Sequence, residues 1–171
     1  CFFIKTAMAR EKEKKHLENL SYVDSLTYAQ NRNHFNEYIE KNRRKELHSV
    51  GVIYLDLNGL KEINDKMGHL AGDTLIISAS YVLQEIFADN SYRIGGDEFV
   101  VIEQDVLESE FMSKYNKLLV RMKELEISVA TGYIWKERCL NLSEILQAAD
   151  QKMYEDKKRY YSIAQNDRRR R

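Results

Sequence analysis

The chain has 171 residues, the size of one domain, and its 27 basic and 27 acidic residues balance to a net charge of zero. This balance gives no indication of a protein that coats nucleic acid or lies on a membrane surface. The two cysteines, Cys1 and Cys139, form no disulfide or zinc-binding pattern, and no apolar stretch reaches membrane-spanning length, so we expect a reducing, cytoplasmic setting.

The N-terminal part of the chain is highly charged. Residues 1–19, which include "AREKEKKHLEN", carry few apolar side chains and predict an exposed connector helix; a solvated arm without a role is the alternative. Because the chain begins with cysteine instead of methionine, we expect it to be a piece of a longer protein.

The next two elements are a helix and a central strand. The segment "NRNHFNEYIEKNRRKEL" predicts a helix that carries Phe35, Tyr38 and Ile39. The following segment, "SVGVIYLDL", is apolar on both faces, which is typical of a strand in the middle of a sheet.

A second helix and a hairpin follow. The spacing of three and four between apolar residues predicts a helix with one buried face, formed by Leu75, Ile76, Ala79, Val82, Leu83 and Ile86. The segment "SYRIGGDEFVVIEQ" then predicts strand, turn and strand, because Gly95 and Gly96 allow the positive φ angles that a two-residue hairpin requires.

The C-terminal third predicts helix, strand and helix. The first helix carries Phe111, Tyr115, Leu118, Leu119 and Met122, the strand is "EISVATGYIW", and the last helix carries Leu142, Ile145, Leu146, Ala149 and Met153. Asn141 and Glu144 suit a capping pair at the start of the last helix. Because the hairpin makes two strands antiparallel neighbours, we predict an α+β fold with a mixed central sheet flanked by helices.

Carboxylates occur at two places where burial disfavours them. Asp56 interrupts the apolar run "VIYLDL", and Asp97 and Glu98 follow the glycines of the hairpin. Each acid taken alone is explained by solvation at a strand end. If the central strand and the hairpin bring Asp56 and Asp97 together, the like charges need a cation, and oxygen ligands favour magnesium with phosphate.

Four motifs in order resemble one family. "GGDEF" at 95–99 resembles the signature of the GGDEF domains, the diguanylate cyclases that join two GTP molecules into cyclic di-GMP. Its companions are "DSLT" and "NR" within 24–32, "LDLNGLKEINDKMGHLAGD" at 55–73 and "ADQKMYEDKK" at 149–158. The resemblance implies a GGDEF domain at 20–161, a connector helix at 1–19 left from a longer signalling protein, and a polar basic tail at 162–171.

The resemblance assigns the carboxylates to metal binding and catalysis. The hairpin would resemble the palm of nucleotidyl cyclases, with its turn against the triphosphate. Asp56, Asp97 and the carbonyl of Leu57 would be metal ligands, and Glu98 a further ligand or the group that helps to deprotonate the attacking hydroxyl. The cofactors implied are two Mg²⁺ ions, for which Mn²⁺ is a substitute.

The resemblance also assigns residues to guanine. Asn64 and Asp73 match family positions that contact the base, whose N1 and N2 hydrogens need an acceptor. A polar helix or turn residue is the alternative for Asn64, and an N-terminal helix cap is the alternative for Asp73.

A further group matches positions near the phosphates. Lys61 and Lys157 match family lysines there, although a solvated surface charge explains either one alone. Gly95 and Gly96 would let the backbone approach the phosphates, although a turn requirement also explains them. Arg93 matches a family arginine beside the hairpin, and a cross-strand salt bridge is its alternative use.

Departures from the family pattern concern the surroundings of the site. Tyr28 replaces a glycine in "LTGL", and Tyr161 stands where an arginine often binds phosphate. The product-inhibition site of many members needs an arginine where Ile86 stands, although its aspartate is present as Asp89.

Together these observations predict an active diguanylate cyclase, the output domain of a bacterial signalling protein with an upstream sensor. The alternative is a catalytically weak GTP-binding regulatory module. The resemblance implies a homodimer for catalysis, and we expect it to be weak in this chain because the apolar residues of the catalytic stretch are at core spacing. No nucleic-acid partner is expected, and the domain is either cytoplasmic or the cytoplasmic portion of a membrane-bound sensor.

Overall fold

The computed structural model describes residues 22–169, and the side chains of residues 22–163. Within this part a mixed five-stranded sheet lies between two layers of helices, in the strand order β1-β3-β4-β2-β5, which confirms the predicted α+β fold. The predicted connector helix at 1–19 lies outside the described residues, and no helix of the described part is long and apolar enough to span a bilayer. The elements are β1 (Gln30–Asn31), α1 (Arg32–Asn42), β2 (Leu47–Leu57), α2 (Leu60–Met67), α3 (His69–Phe87), β3 (Ser91–Arg93), β4 (Glu98–Gln104), α4 (Glu108–Glu124), β5 (Val129–Cys139) and α5 (Leu142–Arg169).

Strand β2 is an interior strand of the sheet, as its apolar run predicts. It pairs antiparallel with β4 on one side and with β5 on the other. Ile53, Leu55 and Leu57 pack in the core under α3 and α4, whereas Val50 and Val52 pack under α1 and α5. Alternate side chains of β2 therefore pack into the two cores on opposite faces of the sheet, because successive side chains of a strand point to opposite faces.

Helix α5 lies close against β5. A Cβ atom at Gly132 would be 2.1 Å from the carbonyl oxygen of Ala149, so only glycine permits this approach. At the start of α5, Asn141 accepts a hydrogen bond from the N–H of Ser143 at 3.1 Å and donates one to Glu144 at 2.8 Å, as a capping pair does. The helix continues to Arg169, so residues 162–169 of the predicted tail extend α5, and the boundary at 161 stays a prediction.

The hairpin between β3 and β4 differs from the predicted two-residue turn. The last cross-strand pair is Arg93 with Phe99, and the N–H groups of Ile94 and Gly95 both donate to the carbonyl of Glu98, at 3.0 and 3.3 Å. Neither Gly95 nor Gly96 has a positive φ; the glycines that do, among the described residues, are Gly59 and Gly68. The two-residue turn was wrong because the strands separate earlier and leave a wider loop, although strand, turn and strand is confirmed.

The outer surface of α2 and α3 also differs from expectation. Met67, Leu70, Ile77 and Tyr81 are exposed there, although we expected the apolar residues of the catalytic stretch to lie in the core. The predicted positions of α3 do face the core, but the helix carries apolar residues outside that face as well. The periodicity identified the buried face and gave no information about the opposite one.

Candidate active site

The predicted acids meet at one end of the β2–β4 pair. Asp56, near the end of β2, is the cross-strand partner of Glu98, the first residue of β4. The N–H of Leu57 donates to the carbonyl of Asp97 at 3.1 Å, which joins the last residue of β2 to the hairpin loop. The fold therefore places Asp56, Leu57, Asp97 and Glu98 side by side.

Asp56 is a buried carboxylate with a lysine as its counterion. Its side chain is 1% exposed, and Oδ2 accepts a hydrogen bond from Nζ of Lys157 at 2.6 Å. Its other oxygen, Oδ1, is buried and has no hydrogen-bond partner among the described residues. Burial raises the pKa of Asp56, Lys157 opposes this, and the charges of Asp97 and Glu98 raise the pKa further. This end of the sheet therefore holds more negative charge than one lysine neutralises.

The two glycines of the hairpin loop have different surroundings. A Cβ atom at Gly95 would be 2.6 Å from Oε2 of Glu98, so this glycine makes room for the Glu98 carboxylate. A Cβ atom at Gly96 would meet no heavy atom of the described residues within 4 Å. Gly95 thus positions a side chain of the site, whereas the exposed backbone at Gly96 is open to a ligand.

Two arginines hold the hairpin loop in place through its carbonyl oxygens. Arg93 donates to the carbonyl of Gly96 at 2.8 Å, and Nε of Arg32 donates to the carbonyl of Ile94. Arg93 also pairs with Asp24 at 2.8 Å, so its ion pair is with the segment before β1 instead of a cross-strand neighbour. The predicted contact of Arg93 with the substrate stays a prediction.

Asp24 is a positioning residue that sequence reasoning missed. Its Oδ1 accepts hydrogen bonds from the N–H and the hydroxyl of Thr27, at 2.9 and 2.7 Å, and from Arg93. Burial alone would raise the pKa of Asp24, but these hydrogen bonds outweigh it and the pKa is lowered. A signal was present, because Asp24 begins the "DSLT" motif and Arg32 ends "NR", although neither motif indicated a contact with the hairpin.

The predicted guanine-binding residues lie at the corner between α2 and α3. Oδ1 of Asn64 is 2.0 Å from the position of a Cβ atom at Gly72, so the Asn64 amide packs directly over the residue before Asp73. The cap alternative for Asp73 is wrong, because α3 begins at His69 and its N-cap is Gly68. Lys61 is exposed in the first turn of α2.

The donor set fits a divalent cation in its chemistry. Asp56 has a buried oxygen without a hydrogen-bond partner in the part of the chain that the structure describes, and carboxylate oxygens beside it are the ligands that Mg²⁺ prefers. Within residues 22–163, however, no three His, Cys, Asp or Glu side chains already form a metal-binding group. Nζ of Lys157 lies on Asp56 and the Glu98 carboxylate lies over Gly95, so a cation shared by both carboxylates would require these side chains to turn.

Comparison with known proteins identifies the family. Residues 21–161 match the profile described as "Diguanylate cyclase, GGDEF domain", and the chain belongs to the GGDEF family. Diguanylate cyclases of this family generally use divalent metal ions. GGDEF domains bind GTP or cyclic di-GMP, function as dimers and are often linked to sensor or regulatory domains.

Individual relatives are longer than this chain. It is 34% identical over 175 aligned residues to the signaling protein YkoW of Bacillus subtilis, covering 90% of the chain and 22% of YkoW. It is 30% identical over 146 residues to the probable diguanylate cyclase DgcI of Escherichia coli, covering 82% of the chain and 32% of DgcI. The chain thus spans less than a third of these two relatives.

Among solved structures, the coiled coil and GGDEF domain of DgcB from Caulobacter crescentus, in complex with c-di-GMP, has the same fold. The TM-score is 0.73 at 20% identity, over 91% of this chain and 92% of that one.

Proposed function

We propose that this chain is an active diguanylate cyclase domain that condenses two GTP molecules into cyclic di-GMP and releases pyrophosphate. The observation that supports this most is the buried carboxylate of Asp56, with Asp97 and Glu98 beside it and, among residues 22–163, Lys157 as its one ion-pair partner. Like charges placed together at the end of a buried strand lower stability, and such an arrangement is typical of a site that binds a cation.

The reaction is attack of a ribose 3′-hydroxyl on the α-phosphate of a second GTP. Asp56, Asp97, Glu98 and the carbonyl of Leu57 would hold divalent cations, which when bound acidify the hydroxyl and stabilise the leaving oxygens. Glu98 accepts the proton of the hydroxyl or completes the ligand set. Because the carboxylate of Glu98 shares the loop with Gly95, its position depends on that glycine.

Substrate binding is divided between two parts of the site. Asn64 and Asp73 supply acceptors for the N1 and N2 hydrogens of guanine. Adenine lacks these hydrogens, so it would leave the acceptors unpaired. The backbone at Gly96 and the lysines Lys61 and Lys157 contact the phosphates, where the ammonium groups neutralise charge.

Catalysis requires two copies of the domain. Each domain binds one GTP, and the cyclic product is symmetric, so two half-sites must face each other with each hydroxyl in line with the opposite phosphate. We propose that this dimer is weak in the chain alone and that an upstream sensor in a longer, cytoplasmically exposed protein raises the local concentration of half-sites.

Incubation with GTP and Mg²⁺, followed by chromatography for cyclic di-GMP, tests the proposal. We expect product from the parent chain at high protein concentration and none from Glu98→Gln, whereas Glu108→Gln, an exposed acid at the other end of the sheet, retains activity. Absence of product from the parent across protein concentrations and with Mn²⁺ would overturn it.

A GTP-binding regulatory module with little turnover is the second candidate. The observation in its favour is Tyr161, whose ring packs edge-on against Tyr160 at 5.2 Å between centroids and offers no charge to a phosphate. Calorimetry with GTP and ATP separates the candidates: selective GTP binding without product formation supports the regulatory module.

A further inference from the structure

The carboxylate that the proposed function assigns to metal binding is already occupied by a side chain of the same protein. Nζ of Lys157 lies 2.6 Å from Oδ2 of Asp56. With Lys157 in this position only 1% of the Asp56 side chain is exposed, and Oδ1 is buried as well. An ion from solution therefore reaches this carboxylate only after Lys157 moves.

The charges at the site make Lys157 a substitute for a divalent cation. Three carboxylates, Asp56, Asp97 and Glu98, lie at this end of the sheet with the single ammonium group of Lys157 among them. The ammonium group partly offsets the repulsion among these acids, as a metal ion would do more completely. A lysine and a metal ion at the same carboxylate repel each other, so the two occupants exclude one another.

Lys157 is also able to leave. Its side chain is 31% exposed, whereas that of Asp56 is buried, and its flexible four-carbon stem extends from α5. A triphosphate bound at the hairpin loop would offer the ammonium group new anionic partners close by. Without a nucleotide, Lys157 would lose its ion pair with Asp56 on release, and its ammonium group would gain only contacts with water.

We propose that Lys157 competes with the divalent cation for Asp56, so that the site takes up metal efficiently only together with a nucleotide whose phosphates accept the lysine. This inference rests on the proposed function of the site and adds to it an order of occupation. In the nucleotide-free chain, Lys157 forms an ion pair with Asp56 and blocks access of ions from solution to this carboxylate. In the chain with bound metal and nucleotide, the same lysine contacts the phosphates. Metal and nucleotide then strengthen each other's binding by the same factor.

The test measures Mn²⁺ binding to the nucleotide-free chain by the loss of the free-ion electron paramagnetic resonance signal. Lys157→Met removes the competitor and should tighten Mn²⁺ binding on the order of tenfold, since a positive charge leaves the immediate surroundings of Asp56. Lys158→Met is the matched control: it removes a charge from the next position of α5, where Lys158 lies over the ring of Tyr154 at 4.2 Å, and should leave the affinity unchanged.

Two further variants connect the effect to Asp56. In Asp56→Asn the tightening caused by Lys157→Met should disappear, because the contested carboxylate is gone. Lys157→Arg keeps the charge and should bind Mn²⁺ as weakly as the parent. If Lys157→Met fails to fold, Lys157→Gln keeps a hydrogen-bond donor to Asp56 while removing the charge, and circular dichroism confirms the fold.

Unchanged or weaker Mn²⁺ binding in a folded, uncharged variant at position 157 would overturn the inference. The assay contains no GTP, so its result is independent of turnover. A chain that makes no cyclic di-GMP but shows the competition would contradict the proposed function alone. A chain that makes cyclic di-GMP without the competition would contradict this inference alone.

Discussion

The two ends of the β2–β4 pair contain the same local arrangement. At one end Asp56, 1% exposed, is held by Lys157 at 2.6 Å; at the other Glu103, 5% exposed, is held by Lys114 at 2.7 Å. Both lysines keep about a third of their side chains in solvent, and each acid has one buried oxygen without a hydrogen-bond partner within residues 22–163. A buried acid with a lysine is therefore not enough to identify a functional site.

The surroundings of the two pairs differ. Asp56 has two further acids of the hairpin beside it, whereas Glu103 lies opposite Gly51, over which the buried ring of Phe111 packs. The second acid near Lys114 is Glu110, which is largely exposed and so is well solvated. In this comparison the surplus of negative charge around a buried acid, and not the burial of one acid, distinguishes the candidate site from the ion pair at the other end.

The largest expected difference between the two ends is in activity. Asp56→Ala should lower cyclic di-GMP synthesis by about three orders of magnitude, because it removes a predicted metal ligand. Glu103→Ala should leave the specific activity of the folded protein nearly unchanged. Steady-state assays at equal folded concentration, set by circular dichroism, measure both, and equal losses at the two ends would contradict the comparison.

The second prediction concerns stability at the far end. Lys114→Met leaves Glu103 without its counterion, so the free energy of unfolding should fall by about 2 kcal/mol at neutral pH, less than for a fully buried pair because Lys114 is partly solvated. Burial alone would lower the pKa of Lys114, but Glu103 and Glu110 raise it above 10.5.

The pH dependence of this loss follows from the raised pKa of Lys114. The native state holds the proton more tightly than the unfolded state, so the stabilisation is complete below pH 10.5 and is lost as the pH rises through the native pKa. Urea unfolding at pH 7 and at pH values rising above 10.5 should therefore show the free energy of unfolding of the parent approaching that of Lys114→Met. A difference that stays constant to high pH would show that packing, and not the charge, is responsible.

Replacing a glycine by alanine should lower activity at one end of the β2–β4 pair and stability at the other. Gly95→Ala displaces the flexible end of Glu98 and should lower activity about tenfold with little change in stability. Gly51→Ala puts a Cβ atom 2.2 Å from the ring of Phe111 and should cost about 2 kcal/mol of stability instead. In Gly96→Ala the new Cβ atom has no heavy atom of the described residues within 4 Å. A loss of GTP affinity in this variant would therefore indicate that the nucleotide contacts the backbone at Gly96. Equal activity in the Gly95→Ala and parent proteins would remove the positioning role.

The smallest expected effect is on stability, when a residue with a positive φ near either end of the β2–β4 pair is replaced by glycine. Tyr28, beside the Asp24 segment, has φ 59°, and Asp105, after β4, has φ 53°. Tyr28→Gly should raise the free energy of unfolding by about 0.5 kcal/mol, because glycine adopts this conformation without strain. Asp105→Gly should gain less, since aspartate tolerates the left-handed region better than tyrosine. Thermal unfolding compares them, and a larger gain at Asp105 would contradict this ranking.

The sequence by itself predicted what depends on local periodicity and on the choice of residue types. The repeat in α3, the two-sided apolar run of β2 and the GGDEF family motifs are visible along the chain, because burial selects side chains at the period of each element. The carboxylates at positions 56, 97 and 98 were also visible along the chain, as one acid within an apolar run and two acids after the glycines of the hairpin, and the family resemblance assigned them to metal binding and catalysis. The apolar outer surface of α3 was missed, because periodicity describes only the buried face.

Tertiary structure decided the contacts between distant parts of the chain. The hairpin loop has its shape because Arg32 and Arg93 bind its carbonyl oxygens, and two adjacent glycines contain no information about those partners. Lys157 reaches Asp56 because α5 packs closely on Gly132 and extends to the end of β2, 101 residues away in sequence. Such an ion pair depends on helix packing and strand register together, and the charge of a lysine in the sequence does not specify which anion it meets.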